Sequence, residues 1–333
     1  MGIMSLTEIM DRSIEILKKY IKTIVTFNLA YGIISFCIII VAIILGSIIT
    51  AITMGLKLNG VLSTLIIGIV FSIFGLGITA YIISIKIGLI KISSQDFLSE
   101  RIYASQAIGA SAKKFFNVLG VLIMEILLFL PVVAVFAIIG YLIYNSAQQS
   151  MLFLGMYDKS EISLIILTGV VSLLGVLSIL AYITIFTFSF HALAIENKGV
   201  FAALKRSYTL VKGDYFKILG CTILFGLTIY AITVSLQSFM GILASIIYMV
   251  LKFFNVSENF STYLTMAYSF LQWPLSILSW LVISPLEIIM ITNLYYNQRF
   301  KKEGYDILLK LNKIQKDEEK EQLSEGTQYD NSI

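Results

Sequence analysis

The sequence predicts an all-α integral membrane protein. It reads as six transmembrane helices in three tandem hairpins, each led by an amphipathic helix at the cytoplasmic surface. Three observations carry this. The chain is 58% hydrophobic and only 13% charged over 333 residues, with a mean hydropathy of +0.91. Soluble domains are about a quarter charged, so this chain needs a bilayer as its solvent. Six apolar runs are long enough to cross one, since a span needs about 20 such residues. A basic amphipathic segment also recurs before each pair of runs, near Leu6, Tyr103 and Val200.

The spans fall at about 23–53, 60–90, 116–144, 162–195, 215–250 and 264–297. The connections after spans one, three and five hold one lysine each: Lys57, Lys159 and Lys252. The other 21 lysines and arginines lie in the N-terminal stretch, in the second and fourth connection regions and in the tail. Cytoplasmic segments carry the Lys/Arg excess, so both termini are expected in the cytoplasm, in a multi-pass protein of the cell membrane. The opening stretch is amphipathic and charged, and the run after it is too long for the apolar core of a signal peptide. It is expected to stay as the first span.

The first amphipathic segment places Leu6, Ile9, Met10, Ser13, Ile14, Leu17, Tyr20 and Ile21 on one helical face. Arg12, Lys18 and Lys19 lie with acidic residues on the other. The third copy repeats this, with Val200, Phe201, Leu204, Ser207, Tyr208 and Val211 against Lys205, Arg206 and Lys212. Ser13 aligns with Ser207, and Arg12 with Arg206. The second copy is weaker, with Ile108, Ser111, Ala112 and Phe115 against Lys113 and Lys114. Such helices either lie among lipid headgroups or pack as cytosolic helices on the bundle. The first reading makes these eight cations, Arg12, Lys18, Lys19, Lys113, Lys114, Lys205, Arg206 and Lys212, an anionic-lipid surface. Residues 1–300 form the membrane domain, with repeats at about 5–95, 103–195 and 199–298. Residues 301–333 form a tail, in which Tyr305, Leu308, Leu309 and Ile314 predict a fourth short amphipathic helix before a polar, acidic end.

Pro131, Pro274 and Pro285 all lie inside apolar runs. Two in the last span predict that it is bent or locally broken. Gly68 and Gly75, and Gly169, Ser172 and Gly175, are read as close-packing positions. Cys37 and Cys221 sit in or beside apolar runs with no metal-type spacing.

Two stretches resemble a known family. Gly199–Gly220 (GVFAALKRSYTLVKGDYFKILG) and Thr292–Asp306 (TNLYYNQRFKKEGYD) look like the bacterial membrane domain found fused to some glycerophosphodiester phosphodiesterases. That domain also occurs alone, and Ser5–Ile21 fits its usual start. Asn297 stands where the pattern has an acidic residue. The resemblance implies a polytopic membrane protein without a catalytic domain, not phosphodiesterase activity.

Such hydrolysis needs paired histidines and clustered carboxylates around a metal, and the chain has one histidine, His191. It has no GxxxxGK[ST], HExxH or GxSxG. No enzyme activity, metal or cofactor is expected, and no nucleic acid, because the basic residues follow membrane topology. Four ionisable residues remain within or near the spans: Lys86, Glu125, His191 and Glu287. Such groups are costly in lipid and usually face the bundle interior or water. Glu125 lies roughly 14 Å into span three at 1.5 Å per residue. Glu125 and Glu287 are expected to point inward, with Lys86 or His191 as partners. The sequence therefore leaves a non-catalytic module that binds lipid or a partner protein as the first reading, a transporter or export/immunity component, with an ABC-type ATPase as a candidate partner, as the second, and a membrane-embedded enzyme as the third.

Overall fold

A computed structural model describes residues 3–55, 60–98, 101–151, 159–253, 259–311 and 314–315. Among these residues the structure is helical, without strands. The main elements are α1 (Leu6–Gly55), α2 (Gly60–Leu98), α3 (Ala104–Lys113), α4 (Phe115–Met151), α5 (Lys159–Phe186), α6 (Ser189–Ile195), α7 (Val200–Val211), α8 (Tyr215–Phe253), α9 (Phe260–Leu278) and α10 (Ser284–Glu303). One π-helical turn, Ser279–Ile283, joins α9 to α10. Six of the helical stretches are long and apolar enough to cross a membrane. The acidic end of the tail, from Lys316, lies outside the described residues.

The leading segments differ from expectation in a way the local sequence explains. The first is not a separate helix. Residues 6–22 run unbroken into span one, because no glycine or proline interrupts the chain there. The third segment, α7, does stop: Gly213 takes a φ of +93°, open to glycine at no steric cost, and redirects the chain. The second breaks only at Lys114, whose N–H and carbonyl still bond Ala110 and Val118.

Their apolar faces are partly sealed in protein, although Ile14, Ile21, Phe201 and Tyr208 of the same faces are exposed. The fourth position of each leading segment is Ile9, Ala107 or Ala203, and the eighth is Ser13, Ser111 or Ser207; all six are buried in protein. These faces build a packed knot at the basic end of the bundle, together with the ends of spans two, four and six and the starts of spans three and five. Packing on the bundle accounts for the buried positions of these faces, and Ile14, Ile21, Phe201 and Tyr208 lie outside it.

Each buried serine meets a span from a different hairpin. Asn293 of α10 donates to Ser13 Oγ at 2.7 Å. The Ser207 hydroxyl donates to the Ile185 carbonyl at 2.7 Å and accepts from the Phe188 N–H at 3.1 Å. Ser111 packs where Gly88 of α2 leaves room; a Cβ there would come within 2.9 Å of its hydroxyl and collide with the Phe27 ring. Thus α3 leans on the span before it, α7 likewise, and α1 closes the circuit on the last span. Asn297 completes that closure. It accepts from the Met4 N–H at 2.8 Å and donates to the Met4 carbonyl at 3.0 Å. A carboxylate at this position could accept from the N–H but not donate to the carbonyl.

Away from the knot, packing thins. The most apolar stretches of the first four spans contain no buried residue, and a groove of about 580 Å³ opens between α1 and α2 beside Gly46 and Phe71.

The last span is irregular, as its prolines predict. Pro285 has no N–H for the Leu281 carbonyl. The chain shifts into a π turn, and the buried Asn28 amide donates to that carbonyl at 3.2 Å. Trp280 of the same turn lies over Gly32, where a Cβ would come within 2.6 Å of the indole. Pro131 lies within a continuous α4.

Candidate functional site at the basic end

Two polar assemblies lie in the knot. The first gathers three of the four ionisable residues expected in the spans. Glu125 of α4 is half-buried and accepts from Ser189 Oγ of α6 at 2.9 Å. Tyr182 bonds its backbone carbonyl. Two residues along α6, His191 is buried, with Nε2 3.2 Å from Thr292 Oγ of α10. Thr292 donates to the Ile288 carbonyl at 2.7 Å, so its oxygen is left to accept. It receives Ser93 of α2 at 3.1 Å, and the geometry then favours a proton on His191 Nε2. The Thr187 carbonyl lies close to the ring, but Nδ1 makes no well-formed hydrogen bond. Lys86 is exposed on α2 yet within electrostatic reach of both Glu125 and His191.

Glu287 corrects the expectation. It is exposed on α10, while Pro285, Leu286, Ile289 and Met290 turn into the core. An inward pair of carboxyls does not form. The apolar residues on the other side of the helix set its rotation, and Glu287 is carried outward.

The second assembly is an ion-pair network that joins α6, α7 and α10. Glu196, just past α6, accepts from Arg206 of α7 at 2.9 Å, Tyr295 of α10 at 2.5 Å and Lys198 at 3.1 Å. Arg299 of α10 lies 3.5 Å from the same carboxylate and donates to Glu303 at 3.1 Å. Glu303 also pairs with Arg206. The network is largely shielded: side-chain exposure is 11% for Glu196, 17% for Arg206 and 10% for Arg299. Burial by itself would raise the Glu196 carboxyl. Hydrogen bonds from Tyr295, Lys198 and Arg206, with the charge of Arg299, outweigh it and hold the group below the usual carboxylate range. Desolvation likewise opposes the charge on Arg206, but its bonds to Glu303 and Glu196 keep its pKa raised. A smaller counterpart binds α1 to α2, where Asp96 meets Lys19 at 2.5 Å and Arg12 at 3.5 Å. Arg12 also stacks 4.4 Å above the Phe97 ring.

These contacts sort the eight expected surface cations. Arg206 and Arg12 are structural, and Lys19 is tied to Asp96 although it is exposed. Lys18, Lys113, Lys205 and Lys212 are exposed, Lys114 is half-exposed, and none enters an ion pair among the described residues. Sequence reasoning missed Glu196, Tyr295, Arg299, Glu303 and Asp96. The signal was partial: Arg206 stood out as a cation of its segment, but its partners did not. Asp214, which receives Lys301 at 2.5 Å and is held low chiefly by that bond, was also missed. Lys302 donates to the Leu210 and Lys212 carbonyls at 2.8 and 2.5 Å, capping the end of α7.

Among the described residues no three His, Cys, Asp or Glu side chains gather as a metal site. Comparison with protein families, with curated proteins and with solved structures found no match for this chain.

Proposed function

We propose that the chain is a non-catalytic membrane module whose basic end faces the cytoplasm and holds anionic lipid headgroups. The observation that carries this is the division of the cations. Those that build the knot are paired, whereas Lys18, Lys113, Lys205 and Lys212 stand exposed at the end of six apolar helices. A lysine near an anionic leaflet is worth about 1 kcal/mol. The three hairpins read as tandem repeats, supported by the matched fourth and eighth positions of their leading segments. The stretches that resemble the phosphodiesterase-associated membrane domain supply Arg206, Tyr295, Arg299 and Glu303 of the ion-pair network, which favours a shared scaffold over a shared activity.

The test replaces the four lysines with glutamine and counts retained anionic lipids by native mass spectrometry, with Lys252→Gln at the far end as control. Retention should fall several-fold in the quadruple variant and hold in the control. Equal retention in both would overturn the proposal. Orientation is tested separately, by labelling cysteines placed in the 145–160 connection of intact cells. Labelling only after the membrane is opened would reverse the orientation.

The second reading, a transporter or export/immunity component, is favoured by Glu125. Its carboxyl is half-buried beside Ser189, within electrostatic reach of Lys86. Proteoliposome flux abolished by Glu125→Gln in a normally folded protein would select it.

A further inference from the structure

The ring of leading segments has a consequence for the chain beyond span six. After Glu303, Gly304 takes a φ of +60° and the chain enters another helical stretch, residues 305–311, with 314–315 also helical. This stretch is in register with the three leading segments. Tyr305 stands at the first position, Leu308 at the fourth and Leu309 at the fifth, against Leu6, Ile9 and Met10 in α1. In the pattern set by α3 and α7, such a segment packs on the span that precedes it. That span is α10, and α1 already occupies its face through Ser13 and Met4.

The fourth segment is therefore displaced. Tyr305 and Leu309 still touch the core, and Arg299 stacks 3.6 Å above the Tyr305 ring. Leu308, however, is 55% exposed, where Ile9, Ala107 and Ala203 at the equivalent position are essentially sealed. Ile307, Leu311 and Ile314 are exposed with it. Ile307, Leu308 and Leu311, spaced i, i+1 and i+4, share one apolar face.

We propose that this face lies in the headgroup–acyl boundary of the membrane that holds the spans. The proposal rests on the reading of the basic end as the lipid-facing one and deepens it. Two observations favour lipid over a protein groove. The segment is joined to a spanning helix through a single turning residue, which holds it close to the bundle. Beyond Gly304 the sequence also carries Lys310, Lys313 and Lys316 against Asp306 alone up to residue 316, a juxtamembrane excess of the kind that anionic leaflets attract. A helix with an apolar face and lysines beside it sinks about 5–10 Å into that boundary.

The test uses the full chain with Cys37 and Cys221 replaced, reconstituted in zwitterionic vesicles. A fluorophore is placed in turn at Leu308→Cys, Leu311→Cys and Lys310→Cys, and quenched from the lipid side by spin-labelled acyl chains and from the water side by iodide. Lipid quenching should be several-fold stronger at 308 and 311 than at 310, with iodide quenching in the reverse order. Equal iodide access at all three sites would overturn the proposal. So would shielding of 308 and 311 from both quenchers, which would assign the face to a partner protein or a second copy. Lys310 is exposed, so its label serves as the water-side reference. Because the label reads contact with acyl chains in neutral lipid, its result is independent of the headgroup retention tested with the four lysines.

Discussion

The knot at the basic end and the apolar halves of the spans are built from the same helices but by different physics. In the knot, α1 buries Ile9, Ile16, Ile24 and Phe27. Farther along the same helix, Ile33, Phe36, Val41 and Ile43 are exposed. The first stretch is held by protein packing, hydrogen bonds and ion pairs, whereas the second meets little protein and is apolar enough to lie in a membrane. In a bilayer, burying an apolar side chain against another helix gains little over leaving it in lipid tails. Specificity therefore concentrates where the chain leaves the hydrocarbon, and substitutions in the two regions should differ sharply.

The largest effect is expected at Glu196. Removing one partner of a buried ion pair costs about 3–5 kcal/mol, and here Arg206 and Arg299 would both lose their shared carboxylate. Glu196→Ala should lower the thermal midpoint in mild detergent far more than Glu287→Ala, which removes an exposed carboxylate. Similar midpoints would mean the network contributes little to stability.

Gly88→Ala comes next. The added methyl would meet the Phe27 ring and the Ser111 hydroxyl, and overpacking costs about 1–3 kcal/mol. Gly68→Ala in the same span meets nothing within 4 Å and should be neutral in the same melt. Asn28→Ala should cost about 1–2 kcal/mol, since the Leu281 carbonyl freed by Pro285 loses its donor. A neutral Asn28→Ala would show that the π turn satisfies itself.

The smallest effect is a matter of pH. Glu196 and Asp214 are held below their ordinary values in the folded state. Their contribution is complete above the unfolded carboxylate pKa of about 4. It is lost as pH falls through the lowered folded values, because the unfolded chain then binds more protons. Midpoints should stay level from neutral pH down to that range and drop below it, and Glu196→Gln should flatten the acid limb. An acid limb unchanged by that substitution would place the sensitivity elsewhere.

Much of this was legible in the sequence, because hydropathy and charge are local signals. The six spans and the irregular last one could be read from apolar runs and from Pro274 and Pro285. The sequence also showed that the leading segments are amphipathic, but not what their apolar faces meet. An apolar face looks the same whether it is covered by lipid or by α10. The fate of Arg206 was hidden for a related reason: its partners Glu196 and Glu303 lie 10 and 97 positions away and meet only once the hairpins close. Glu287 failed because depth along a helix says nothing of its rotation, which Leu286, Ile289 and Met290 decide by packing inward.

The contrast between knot and spans can be tested on two phenylalanines nine positions apart on one helix. Phe27 is fully buried and Phe36 is 66% exposed. Each is changed to alanine and unfolded in the same lipid–detergent mixture. Phe27→Ala should cost about 3–5 kcal/mol, the range for emptying a packed core site, and Phe36→Ala under about 1 kcal/mol, because no protein cavity is left behind. Equal losses at the two positions, or a larger loss at Phe36, would contradict the claim that the knot holds this fold together.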